Sequence, residues 1–307
     1  MTASTDASTA PGTAHAGSDL LLLVVPGVIW GASFLFIAEG LRAVGPHGVA
    51  FSRILAGFIT LACFPAARRP IANSAWPRIA LLAVFWMAIP LTLFPFAEQR
   101  VSSATAGMLN GAVPLFAAAV AAIIARRMPT REMLFGLALG LTGVVLIALP
   151  NLGAGRTSLD GVVLILIAIT LYGIAINIAR PLQMKFGALP VLARSLGLAT
   201  ILTAPLGLPE VLHGTWTLVP VLSLVALGAL GTGIAYVLSA TAAGRLGATR
   251  ASATIFFASP IAMLLGVVVL HEKVGVISVV GAAVCVGGAV MIRKAQEHAV
   301  QSPRGPA

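Results

Sequence analysis

The chain has 307 residues, of which 59% are apolar and only 9% charged, and its mean hydropathy is +1.02. No soluble domain hides that much apolar surface, and at roughly 20 residues per membrane-spanning helix the length is used up by about ten spans and their loops. The formal charge of +10 does not point to nucleic acid, because Lys and Arg stand as singles and pairs between apolar stretches.

Residues 1–19 are rich in Ser, Thr, Ala and Gly and lack the basic region of a signal peptide, so a disordered cytoplasmic tail is expected there. Apolar runs bounded by charge, Gly and Pro then predict spans near 20–39, 47–66, 78–97, 102–124 and 132–150, a first repeat over 20–150. Five more follow near 160–179, 189–208, 217–239, 249–270 and 276–293, a second repeat over 160–293, with 294–307 as a further cytoplasmic tail. With the N-terminus inside, 13 of the 19 basic residues fall in inside segments. Only Arg42, Arg100, Arg156 and Lys273 lie outside, and Arg53 and Arg194 stand within spans. Cytoplasmic loops carry the excess of Lys and Arg, so both termini are expected in the cytoplasm.

An internal repeat is clearest around two prolines. With Pro114 laid over Pro260, Val101 to Arg127 matches Gly247 to Lys273 without a gap. One residue is dropped in the loop, and Gly136 and Gly143 then fall on Gly281 and Gly288. More loosely, Trp30-Gly31 falls on Tyr172-Gly173. An odd number of spans per half makes the second half enter from the opposite face. The expected fold is therefore an all-α integral membrane protein of about ten transmembrane helices in two inverted five-helix repeats, related by a pseudo-two-fold axis in the membrane plane.

Candidate functional residues follow from depth and from repeat position. Trp30 and Trp86 fall near the middle of their spans, Tyr172 is the repeat partner of Trp30, and Tyr236 lies one turn beyond the partner of Trp86. The four are expected to ring a cavity at the axis and to stack a flat or apolar substrate; lipid-facing or packing aromatics are the plainer reading. Ser33, Phe34, Thr92 and Asn177 join them by depth. Asn110, one turn before Pro114, is placed to bond a freed backbone group or to face substrate. Arg53, within its span, is expected to be a fixed cation lining a hydrated cavity and suited to a carboxylate or other anion, whereas Arg194 is close enough to the interface to snorkel. Pro114 and Pro260 predict a shared kink beside the cavity, and Gly231 and Gly233 a hinge in the eighth span; static kinks and packing are the alternatives.

No Asp or Glu stands near the middle of any span, which disfavours proton coupling through an intramembrane acid. Glu272 is expected to cap the last helix. His47, His213 and His271 are far apart, Cys63 and Cys285 lie in apolar stretches, and Gly153-Ala154-Gly155 lacks a third glycine, so neither metal nor cofactor is expected.

Trp30-Gly31-Ala32-Ser33-Phe34, Arg53 and the stretch from Gly228 to Gly288 resemble the EamA-type ten-helix branch of the drug/metabolite transporter superfamily. The most specific stretches are Gly231-Thr232-Gly233-Ile234-Ala235-Tyr236, Ser259-Pro260 and His271-Glu272, and the likeness covers residues 20–293. It implies a non-enzymatic exporter of amino acids or similar metabolites in a bacterial inner membrane. One departure stands out: where such proteins carry an acid after the fourth span, this chain has Arg126-Arg127, while the counterpart Glu272 is present. The expected partners are a small-molecule substrate and membrane lipid, with room for a homodimer and no nucleic acid. A non-transporting scaffold or lipid-binding protein is the alternative. A membrane-embedded lipid enzyme would need paired carboxylates or a His/Asp cluster that the sequence does not display.

Overall fold

Long apolar runs separated by short polar loops fold as a bundle of helices, because in lipid each backbone polar group must find its partner within its own segment. The computed structural model describes residues 13–126, 128–151, 158–247 and 251–301. Among these the first repeat comprises α1 (Thr13–Gly40), α2 (Pro46–Ala62), α3 (Asn73–Glu98), α4 (Ser103–Ala125) and α5 (Arg131–Ala148). The second comprises α6 (Leu159–Phe186), α7 (Ala188–Leu212), α8 (Leu218–Leu246), α9 (Ile255–Val268) and α10 (Val276–Gln301). Eight of them are long and apolar enough to cross a membrane. The other two, α2 with 17 residues and α9 with 14, are shorter and pack against longer neighbours, α2 against α7 and α8 and α9 against α1 and α4.

Helix ends overrun the expected spans. Helix α1 already begins at Thr13, α6 continues to Phe186 and α10 to Gln301. The reason is that hydropathy registers only the apolar part of a helix, while Lys, Gln, Glu and Ala continue the hydrogen-bond ladder into polar surroundings. Arg127, Arg156, the Gly153-Ala154-Gly155 loop, Thr249, Arg250 and the outer parts of both tails lie outside the described residues.

The two halves interlock through glycines that bring backbones together. Along the α5–α10 seam a Cβ on Gly136 would meet Gly288 O at 3.0 Å, and one on Gly143 would meet Gly281 O at 2.6 Å. Since Gly136 matches Gly281 and Gly143 matches Gly288, each contact is the reciprocal of the other, as a two-fold axis between antiparallel helices requires. The matched glycines Gly31 and Gly173 behave alike: Gly31 on α1 abuts Ala258 and Ile261 of α9, and Gly173 on α6 abuts Phe116 and Ala117 of α4.

Two features of the middle helices depart from regular α structure. Helix α4 is broken at Gly111–Ala112, so that Pro114 opens a new helical segment, whereas Pro260 sits inside α9 without dividing it. Helices α3 and α8 each contain a π-helical segment, Ala83–Ala88 and Ala226–Ile234, in which the backbone ladder is one residue wider. Both segments occupy the same place in their repeats, and Gly231 and Gly233 belong to the second.

Candidate functional site

A cavity of about 150 Å³ lies where the halves meet, walled by α1, α2, α3 and α4 of the first repeat and α6, α8 and α9 of the second. Trp30, Ser33, Phe34, Arg53, Trp86, Asn110, Tyr172 and Tyr236 all line it. Asn177 does not; its Nδ2 donates to Ala117 O at 3.0 Å and to Gly173 O at 2.8 Å, tying α6 to α4. Thr92 also lies away from the cavity and donates to Ala88 O at 2.7 Å. Sequence reasoning missed Ile37, Phe94, Val113, Ile176, Ile255 and Ala258. Helical spacing signals the first four: Ile37 is seven residues beyond Trp30, Phe94 eight beyond Trp86, Val113 three beyond Asn110 and Ile176 four beyond Tyr172.

The aromatic rings form two linked groups. Tyr236 makes T-shaped contacts with Trp30 and Trp86, with centroids 5.7 and 5.9 Å apart and planes inclined by 66° and 84°. Phe94 bridges Phe34 and Tyr172, each centroid 5.8 Å away. The T-shaped pairs suit the quadrupoles of the rings, the edge of one meeting the face of the other. Trp30 is fixed further by its indole, whose Nε1 donates to Gly231 O at 3.0 Å. That carbonyl belongs to the π-helical segment of α8, where the widened ladder turns an acceptor towards α1.

Arg53 enters the cavity wall from α2 because Gly57 and Gly228 allow α2 and α8 to touch: a Cβ on Gly57 would meet Thr232, and one on Gly228 would meet Ala56 and Arg53 O. The residue is 8% exposed, and its Nε donates to Thr232 Oγ1 at 2.9 Å. Among the described residues no carboxylate stands within ion-pair distance of it. Arg194 serves a different end. Its guanidinium donates to Ala67 O, Pro190 O and Arg69 O at 2.9, 3.2 and 2.8 Å, hooking α7 to the chain that leaves α2.

Beyond one end of the cavity α4 is tied to α9 and to the chain that follows it. Glu272, expected at the start of the last helix, instead caps the N-terminus of α4. Its Oε1 accepts the Ser103 amide and its Oε2 the Ala104 amide, both at 2.8 Å. The correction has a simple cause: the chain turns through His271, at φ 55°, and carries the carboxylate back towards the other repeat, where two unpaired amides and the positive end of the helix dipole await an anion. Glu98 joins the same knot by accepting Ser103 Oγ at 2.8 Å. Just below, Ser259 Oγ donates to Gly107 O at 3.0 Å, and Gly107 packs on Ala262. On the same face Glu210 of α7 accepts the Gly48 amide at the start of α2 at 2.6 Å. The position matched to Glu272 in the first repeat is Arg126, a left-handed residue at φ 49° that ends α4. A cation there has nothing to offer a helix N-terminus.

Comparison with known proteins agrees with the repeat. The sequence model of the EamA-like transporter family matches the chain twice, over residues 18–149 and 159–294. A probable terminal-alkyne amino-acid exporter of Streptantibioticus cattleyicolor is 28% identical over 277 residues, which is 89% of this chain and 92% of that protein. The uncharacterized transporter YdfC of Bacillus subtilis is 27% identical over 267 residues, 85% and 86% of the two chains. A protein crystal structure at 19% identity superposes with a TM-score of 0.61 over 90% of this chain and 97% of its own, a likeness of fold alone.

Proposed function

The chain belongs to the EamA-like transporter family, and on that premise we propose that it is a secondary transporter exporting small metabolites, amino acids or related compounds, across the cytoplasmic membrane by alternating access. The observation that carries this reading is the cavity shared between the repeats, lined by aromatic rings and one cation, with contacts beyond one end that cross from one half to the other. Its volume of about 150 Å³ is below the ~300–1,000 Å³ of drug-sized sites and suits a metabolite the size of an amino acid. The relative from Streptantibioticus cattleyicolor, a probable amino-acid exporter by its name, supports the same direction and size of cargo. With both termini in the cytoplasm, the Glu272 end is the outer gate, and the charge distribution over the loops supports that orientation. The sequence carries no ATP-binding motif, so the driving force is the substrate gradient or a coupled ion.

Purified full-length protein in liposomes preloaded with a metabolite extract is expected to catalyse counterflow of at least one solute. Trp30→Ala and Tyr236→Ala each remove a ring from the wall and are expected to lower that flux about ten-fold, the scale of losing a buried aromatic anchor. Undiminished counterflow in both variants sinks the cavity as the transport site. The absence of counterflow for every solute in the extract sinks transport itself.

A further inference from the structure

Resting on that reading of the cavity as the transport site, we propose that its cargo is a net monoanion: a carboxylate with an apolar or aromatic body and one uncharged hydrogen-bond donor, such as a 2-hydroxy acid, in preference to the zwitterionic amino acid of the same shape.

Three observations lead there. The first is charge. Among the described residues Arg53 is the one ionised residue in the cavity wall; Glu98 and Glu272 hold the start of α4, and neither lines the cavity. Only the Nε of Arg53 is engaged, by Thr232, which leaves the outer guanidinium nitrogens of this buried residue for an incoming group. A planar cation in a wall of low polarity calls for a carboxylate, and a monoanion brings the occupied cavity to zero net charge. A zwitterion leaves it at plus one.

The second is the position of that charge. Aromatic boxes welcome ammonium groups through the negative faces of their rings, so the cluster of Trp30, Trp86 and Tyr236 would by itself suit an amine. Arg53 removes that option. It bonds to Thr232, Trp30 bonds to the adjacent Gly231, and Tyr236 lies one helical turn past Thr232 on the same face of α8. The fixed cation and the box are thus anchored on neighbouring residues, and an ammonium entering the box meets a like charge in a medium that screens it poorly.

The third is Asn110. Its Oδ1 is buried and has no protein donor, in a wall where Ser33 Oγ and the Trp30 indole already donate to backbone carbonyls. A buried acceptor left without a donor is costly, and a hydroxyl or amide N–H on the cargo satisfies it without adding charge.

Isosteric pairs test the proposal, because 3-phenyllactate differs from phenylalanine, and 2-hydroxyisocaproate from leucine, only by a hydroxyl in place of an ammonium. Binding is read from tryptophan fluorescence of the full-length protein in nanodiscs and from inhibition of counterflow in liposomes. Both hydroxy acids are expected to bind at least ten-fold more tightly than their amino-acid partners, and phenylalaninamide, a cation, to bind more weakly than either member of its pair. Arg53→Gln is expected to lower hydroxy-acid affinity ten-fold or more and erase the preference. Arg53→Lys, which keeps the charge, is expected to retain it. Asn110→Leu is expected to bring 3-phenyllactate down to the affinity of 3-phenylpropionate, which lacks the hydroxyl. Equal or tighter binding of the amino acids, binding of phenylalaninamide at the level of 3-phenyllactate, or a preference unmoved by Arg53→Gln overturns the proposal. So does failure of all six probes to bind; counterflow of some other solute would then leave the transporter reading standing.

Discussion

Gly143→Leu is expected to abolish the folded protein. At this point in the α5–α10 seam the added Cβ falls on the backbone, meeting Cys285 N and, at 2.6 Å, Gly281 O. Overpacking a core ordinarily costs about 1–3 kcal/mol because side chains yield by changing rotamer. Here there is no side chain to yield, and two helices must separate along their length. Gly288→Leu is expected to do the same, since its Cβ would meet Gly136 O at 2.6 Å and Gly140 N at 2.5 Å. Gly244→Leu supplies the control, because nothing lies within 4 Å of a Cβ there. Size-exclusion profiles of fluorescent fusions should show the control as a single peak and the two seam variants as aggregate. A seam variant eluting and melting like the parent protein would mean that the helices do not touch as described.

Glu272→Gln is expected to ease access to the cavity from the Glu272 side. The carboxylate receives two amides at 2.8 Å, each a charge-assisted bond, and the helix dipole of α4 adds to them. Glutamine keeps one neutral acceptor. A loss of about 2 kcal/mol shifts a two-state balance roughly thirty-fold, enough to convert a closed gate into a frequently open one. The readout is a single cysteine at position 33 or 110, in a background without Cys63 and Cys285, exposed to a membrane-impermeant polar thiol reagent from the Glu272 side. Labelling is expected to rise more than ten-fold with Glu272→Gln. A cysteine that reacts equally fast in both backgrounds would show that Glu272 does not control access, and one that never reacts from either side would favour a scaffold over a carrier.

Most of this architecture is legible in hydropathy and in the repeat, because a bilayer imposes one length and one kind of backbone on each span. The cavity wall is legible less evenly. Depth alone selected Asn177 and Thr92, but Asn177 stands five residues from Tyr172 and Thr92 six from Trp86, spacings that turn a side chain to another face of the helix. Ile176 and Phe94, at spacings of four and eight, face the cavity instead. The π-helical segments were beyond reach for a different reason: a widened turn is held by what packs against it, as Trp30 does at Gly231, and local sequence states only a weakness there through Pro90 and the glycines of α8. Glu272 was assigned to the nearest helix because its real partners, Ser103 and Ala104, are separated from it by 169 and 168 residues.

The reciprocal seam of Gly136 with Gly288 and Gly143 with Gly281 is the contact that two copies of one five-helix ancestor would make on meeting in antiparallel orientation across a two-fold axis. In such a pair every substitution appears twice, once at each face of the membrane, so both gates weaken or strengthen together. A single fused gene escapes that constraint. It can keep an acid at residue 272 and place an arginine at residue 126, and so set the ease of opening towards one compartment without touching the other.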